Sequence, residues 1–294
     1  MMTRQLRILM IGAHPDDCDI LSGGTALRYA RAGHAVKFLA LCNGCGGHQS
    51  MAPEDLARRR HLETQAVARL AGIEYEVWDV PDCELMATLE NRRRLVRDIR
   101  AFCPDVVFTS RPNDYHADHR NAAILMQDAG YLLIVPNFCP EAPALRRMPV
   151  VLFFYDRFQN PPFRPDLMVP IDDLIEDKYA LLHCHTSQMY EWLPFTRGSL
   201  DQVPSGDAAR REWLHGPRLP RDGTVPDASL LGQATASPVS EIREAAPAIK
   251  YRDFLIERFG EAGRHVLFAE AFAVSEYGTP LTPDLARELF PFLE

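Results

Sequence analysis

Four times in the first 130 residues a short apolar run gives way to a segment of helical period, and this alternation restricts the chain to a sheet of mostly parallel strands. The apolar runs are Leu6 to Gly12, Ala35 to Leu41, Tyr75 to Val80 and Pro104 to Ser110. The helical segments are Ile20 to Ala32, closed by Gly33, Pro53 to Leu70, closed by Gly72, Leu89 to Phe102, and a helix opening near Asp118. Glycine just beyond the last periodic residue is a stop signal. Val150 to Tyr155 and Leu167 to Val169 read as further strands, and Ile171 to Gln188 as a helix. The pattern predicts an α/β fold, a single Rossmann-like domain over 1–294 with a mostly parallel sheet flanked by helices. Between Pro194 and Pro247 seven prolines and five glycines interrupt any period, which predicts a long irregular insertion serving as a lid or interface. Regular structure is expected to return with a helix over Ala248 to Phe259 and a strand over His265 to Val274.

A formal net charge of −8 argues against nucleic acid as the partner, since phosphate binding favours a basic surface. No stretch approaches the ~20 apolar residues of a membrane helix. The apolar run after the amino terminus is too short for a signal peptide core. Seven scattered cysteines suit a reducing compartment better than a disulfide framework. The expectation is a cytoplasmic protein acting on a small molecule, with no nucleic-acid or membrane partner, assembled as a homo-oligomer through its long insertion.

The first predicted strand runs directly into Ala13-His14-Pro15-Asp16-Asp17. Open parallel sheets bind ligands beyond the carboxyl ends of their strands, and this is such a place. One imidazole and two carboxylates supply metal ligands of both kinds and a spare carboxylate. Zinc accepts both kinds, and a catalytic zinc site takes three protein ligands and keeps one position open. A second cluster, Asp114-Tyr115-His116-Ala117-Asp118-His119, follows the fourth strand. His116 and His119 are three apart, so one helical turn directs both toward one cavity. An isolated His-x-x-His is more often a surface feature, and an isolated Asp-Asp a helix cap. Their joint placement at one sheet edge is what points to a metal centre. A dinucleotide site is disfavoured, because bulky His14 and Pro15 stand where a G-x-G-x-x-G loop would let a pyrophosphate approach.

The strand followed by Ala-His-Pro-Asp-Asp, with His-Ala-Asp-His after a later strand, resembles the PIG-L/LmbE family of zinc-dependent de-N-acetylases. The likeness extends to the Gly-containing loop Leu41 to Gly47, the Arg60-x-x-Glu63 pair, Asp82 with Leu85, His185-Thr186-Ser187-Gln188 and Glu270-Ala271-Phe272. The resemblance implies an N-acyl, chiefly N-acetyl, hydrolase acting on an amino sugar or its conjugate. It implies His14, Asp17 and His119 as ligands of Zn2+, with Fe2+ an alternative that the same donors accept. It implies Asp16 as the general base. His116 would stabilise the oxyanion or protonate the leaving amine, with Asp118 orienting it. Arg60, Asp82 and Arg111 are candidate partners for sugar hydroxyls or a neighbouring anionic group, and His185 is expected in the pocket. For Arg60 and Glu63 a plain helix-surface pair is the alternative. The chain departs from the pattern where some members place a carbonyl-polarising tyrosine, which is Asp114 here, with Tyr115 one position later. Cys83 replaces the glycine after Asp82.

Three other readings were weighed. Cys42-x-x-Cys45 with His48 could mark a redox or structural-zinc site, although the surrounding glycines suggest a loop where a thioredoxin-like motif opens a helix. A non-catalytic binder could share the fold. Within the enzymes, an amidase acting on a thiol-sugar conjugate would use the same metal centre.

Overall fold

The computed structural model describes residues 4–293. Its centre is a seven-stranded sheet in the order β3-β2-β1-β4-β5-β7-β6. Strands β1 (Arg7–Gly12), β2 (Ala35–Ala40), β3 (Glu74–Val77), β4 (Val106–Thr109) and β5 (Val150–Phe154) are mutually parallel. The last strand, β7 (Ala269–Val274), inserts antiparallel between β5 and β6 (Leu167–Pro170). The chain steps outward from β1 to β2 and β3, then returns to lay β4 on the other side of β1. The strand order therefore reverses between β1 and β4, the switch point where open α/β sheets bind ligands.

Successive residues of β1 serve opposite faces. Ile8 and Met10 join Phe38, Phe108 and Leu152 in one core cluster, while Leu9 and Ile11 join Leu39, Val107 and Val151 in the other. A strand buried on both faces has no polar alternation, which is why each reads as a continuous apolar run. Helices α1 (Asp17–Arg31) and α5 (Ile175–Cys184) cover the first face, and α3 (Leu89–Phe102) and α4 (Ala117–Leu132) the second. Helix α2 (Pro53–Ala71) starts with proline in its first turn and ends at Gly72, whose φ of 69° allows its N–H to reach Ala68 O. The Thr88 side chain caps α3 by accepting the Asn91 N–H.

Three expectations are corrected. The helix expected to run to Gln188 stops at Cys184, because Glu63 takes the Thr186 hydroxyl, the Ser187 N–H and the Ser187 hydroxyl. Such local bonds compete with helix continuation. The helix expected over Ala248 to Phe259 is divided at Tyr251, whose φ of −115° and ψ of 36° are not helical. The strand expected from His265 begins only at Ala269, which pairs with Pro170, the final residue of β6.

The 194–247 segment is less irregular than its composition suggests. It holds α6 (Leu193–Arg197) in part, α7 (Asp207–His215) and α8 (Glu241–Glu244), and leads into α9 (Ala246–Lys250) and α10 (Arg252–Phe259). It is tied to α5, where Tyr179 Oη donates to Val239 O and the His183 ring meets Asp207 at 2.8 Å. No helix among the described residues is long and apolar enough to cross a membrane.

Candidate metal centre

Because β1 and β4 are neighbours, the loops that follow them face each other, and the two clusters meet there. His14 Nδ1 lies 3.2 Å from His119 Nε2. Asp17 Oδ2 is 3.7 Å from that His14 nitrogen and 3.4 Å from that His119 nitrogen. Three ligands bonded at 2.0–2.1 Å in a tetrahedron stand roughly 3.3–3.4 Å apart, so the three donor atoms have the spacing of a tetrahedral zinc face.

Carboxylates fix which ring nitrogen is free. Asp118 Oδ2 holds His14 Nε2 at 3.0 Å, and Asp114 Oδ1 holds His119 Nδ1 at 3.0 Å. Each outer nitrogen therefore carries its proton toward a carboxylate, and each inner nitrogen presents a lone pair. This is the carboxylate–histidine–metal arrangement that orients ligands and raises their basicity. Two lone pairs facing at 3.2 Å repel unless a cation or a proton lies between them. The donor set fits a divalent cation.

Charge follows the same geometry. Burial opposes the charged form of His119, but Asp17 and Asp114 outweigh it and push its pKa up to about 9. Burial likewise opposes a charge on His14, and Asp118 and Asp17 more than offset it. Burial would raise the Asp17 carboxyl, and His119 and His14 bring it below the usual value. Asp16 is raised, chiefly by burial, with Arg60 opposing.

His116 takes a different place. It is the N-cap of α4, and its Nδ1 accepts the Asp118 N–H at 3.1 Å, leaving the proton of the neutral ring on Nε2. Its ring packs edge-on against His14 with centroids 4.7 Å apart. Burial and the two neighbouring imidazoles lower its pKa. Its nitrogens also come close enough to those of His14 and His119 to form a three-histidine set, which is the competing ligand assignment. Asp118, expected beside His116, engages His14 instead and accepts the N–H groups of Cys83 and Leu85. Its second contact with His116, at 3.7 Å, is not a hydrogen bond.

The expected substrate contacts lie elsewhere. Arg60 is 2% exposed and does not form a surface pair. It donates to Pro15 O at 2.8 Å, to Asp16 Oδ1 at 2.9 Å and to Gly44 O at 3.3 Å. Asp82 accepts the N–H groups of Gly44 and Gly46. Arg111 is paired with Asp156 at 2.6 Å. His185 is wholly buried, its Nε2 lying 3.2 Å from Asp19 Oδ2, which also accepts the Tyr75 hydroxyl. None of the four lines the cavity that opens beside the metal centre. Arg60 braces the loop that carries Asp16, Asp82 the glycine loop after β2, Arg111 the loop after β5, and His185 faces α1. Asp114 supports His119 from within the second cluster, and for Asp19 and Tyr75 the sequence offered no period or motif to mark them.

That cavity measures about 420 Å3, and Asp17, Asp114, Tyr115 and His119 lie on its wall. Sites for small molecules span roughly 300–1,000 Å3. Residues 194–247 supply the opposite wall with Arg197, Pro238, Val239 and Arg243. The Cys42-x-x-Cys45 motif lies in a loop and does not open a helix, and burial pushes the Cys42 thiol far above its ordinary value, which weighs against the redox reading.

Fold and site together define an α/β protein with a histidine–carboxylate cluster, able to hold a divalent cation, at the switch point of its sheet. The family described as PIG-L, GlcNAc-PI de-N-acetylase, matches residues 9–129, which span both clusters. The diacetylchitobiose deacetylase of Thermococcus kodakarensis is 31% identical over 206 residues, covering 65% of this chain and 75% of that one. The 4-oxalmesaconate hydratase of Pseudomonas putida is 26% identical over 210 residues, 69% of this chain and 81% of that protein. Among solved structures, the N,N'-diacetylchitobiose deacetylase of Pyrococcus horikoshii superposes with a TM-score of 0.62 at 23% identity, covering 95% of this chain and 88% of that one. The chain belongs to the PIG-L family and is an enzyme of the amide-hydrolysing class.

Proposed function

We propose that this enzyme removes the acetyl group from the nitrogen of an amino sugar or its conjugate, with Zn2+ held by His14, Asp17 and His119. The observation that carries the reading is the convergence of two bare imidazole nitrogens and one carboxylate oxygen at 3.2, 3.4 and 3.7 Å beside the cavity. A divalent cation so held supplies Lewis acidity, making water more acidic and a carbonyl more electrophilic.

The chain's own residues do the rest. Asp16 Oδ1 is fixed by Arg60, while Oδ2 has no protein donor among the described residues, so Asp16 accepts the proton of the attacking water. The Nε2–H of His116 donates a hydrogen bond to the developing oxyanion, and the proton taken up by Asp16 passes to the departing amine. Asp118 and Asp114 hold the two ligand rings in the tautomers a cation needs. The sugar assignment rests on the diacetylchitobiose deacetylase relative. Reading the chain as one domain, we take residues 194–247 as a fixed wall of the pocket. Seven free thiols suit a reducing cytoplasm.

Acetate release from a panel of N-acetylated amino sugars and thiol-sugar conjugates tests this reading, using protein stripped of metal and reloaded with Zn2+ or Fe2+. Release should require metal, and D16N should lower kcat on the order of 10²–10⁴-fold while still binding the ion. Release without metal, or turnover confined to water addition on an unsaturated acid as the hydratase relative's name describes, would sink it.

A further inference from the structure

Three arginines on the cavity wall have no part in the chemistry above. Arg157, Arg197 and Arg243 share the 420 Å3 cavity with Asp17 and His119. Arg197 reaches the cavity from the end of α6, Arg243 from α8 and Arg157 from the loop after β5.

The carboxylates around them are already engaged. Asp17 and Asp114 hold the ligand histidines, and Asp156 holds Arg111. Glu244 and Glu270 share the buried Lys178 at 2.7 and 2.8 Å. Among the described residues none of the three arginines forms a salt bridge; Arg157 meets the Tyr155 hydroxyl, and its charge reaches Glu244. No carboxylate contributes appreciably to the charge felt by Arg197. Burial, then Arg243 and Arg157, bring its pKa down to about 10. Burial and Arg157 lower Arg243 as well, and its nearest polar contact is the Thr235 hydroxyl at 3.4 Å. Three guanidinium groups gathered at the rim of a cavity, in a chain of net charge −8, repel one another until an anion joins them.

We propose that Arg157, Arg197 and Arg243 form an anion subsite, so that the substrate carries a carboxylate or phosphate on its amine-bearing part. Guanidinium presents paired N–H donors that match either group. The placement suits a single ligand spanning both sites. Tyr115, whose ring stands 5.4 Å from that of His119, lines the same cavity as Arg197, so the metal ligands and the arginines share one wall. Arg157 and Arg243 also line an adjoining cavity of about 550 Å3, where Lys250 adds a fourth cation. That cavity has room for the remainder of a conjugate beyond its anionic group. An acetyl group carries no charge, so an anion held by the arginines belongs to the amine-bearing part. The proposal rests on the deacetylase reading for its substrate, and on the cavity wall for its anion.

The test compares N-acetylglucosamine with its 6-phosphate and with N-acetylmuramic acid, in the wild type and in R197Q/R243Q. In the metal-loaded wild type, kcat/KM for at least one anionic substrate should exceed that for the neutral sugar by tenfold or more, through KM. The better of the two anions tells phosphate from carboxylate. In the double variant this ratio should approach one, and in the wild type it should fall as NaCl rises. A wild-type ratio near one, or a ratio untouched by the variant, would overturn the subsite. Calorimetric binding of the 6-phosphate to metal-free protein is the independent arm, with at least tenfold weaker binding expected in the variant and equal binding counting against the proposal. If neither sugar is hydrolysed, the deacetylase reading fails, and the binding arm alone decides the subsite. Arg197 is exposed, so R197Q by itself should fold and serves if the double variant does not.

Discussion

Arg60 shows how a residue away from the cavity can govern the chemistry at it. Its guanidinium joins the loop after β1, through Pro15 O and Asp16, to the glycine loop after β2, through Gly44 O. Gly44 permits this approach. Its φ is 78°, and a Cβ there would lie 2.6 Å from Arg60 Cδ. Lysine keeps the charge but cannot serve the carbonyls and the carboxylate together, so the exchange is not conservative. R60K is expected to lower kcat on the order of 10²-fold, the cost associated with a base displaced by about an ångström, while KM and bound metal stay near wild type. Steady-state kinetics with metal analysis checks this, and an unchanged kcat would show that Asp16 needs no such brace. The candidate metal cluster was legible in the sequence because His14 and Asp17, and His116 and His119, fall close together after apolar runs. The roles of Arg60, Asp82 and His185 were not. A motif gives a residue's position along the chain, and it does not say whether its donors turn toward solvent or toward a neighbouring loop. Asp118 illustrates this, since its partner is His14, about a hundred residues away, and not the nearby His116.

Among the elements, the strand–helix alternation through α4 was readable because each helix satisfies its own hydrogen bonds and buries a periodic face, while each strand is a continuous apolar run. The wall formed by residues 194–247 was not, since its helices are short and held by polar side chains distant in sequence. Glu241, at the start of α8, is the clearest of these ties. It is fully buried and accepts from Leu219 N at 2.8 Å, Arg221 at 2.9 Å, Arg218 at 3.1 Å and His215 at 3.2 Å. Burial alone would raise its carboxyl; the His215 ring, the Leu219 N–H and the Arg221 guanidinium outweigh burial and hold its pKa at about 2, against an ordinary 4.5. A pKa depressed by folding stabilises the folded state above the unfolded value, and that contribution is lost as pH falls from about 4.5 towards about 2. Wild-type Tm should therefore exceed that of E241Q at pH 6, with the gap narrowing below about pH 4.5 and closing only towards pH 2. Other carboxylates titrate alike in both proteins, so the difference between two scanning-calorimetry series isolates this residue. A gap independent of pH would mean that Glu241 contributes shape and not charge.

For the molecule as a whole, the switch point between β1 and β4 makes the metal centre a junction of the fold. His14 and Asp17 follow β1, His119 lies on α4, and Asp118 accepts N–H groups from the segment after β3. A cation bound there links three separate stretches of chain, and binding to the folded state alone raises stability by mass action. Free metal at a hundredfold over its Kd contributes about 2.7 kcal/mol. In a protein of this size that corresponds to a rise in Tm on the order of 5 °C. The same measurement decides between two ligand sets at this junction, His14 and His119 with Asp17 or with His116. If His14, Asp17 and His119 hold the ion, D17N and H119A lose the zinc-induced rise, and H116A keeps it because the His116 ring serves as a hydrogen-bond donor. If H116A loses the rise and D17N keeps it, the three-histidine set is the metal site, and Asp17 becomes an acceptor for the His14 N–H alone. Thermal unfolding in zinc and in chelator reads this out without any substrate, so the answer stands whichever acylated amine the enzyme turns over.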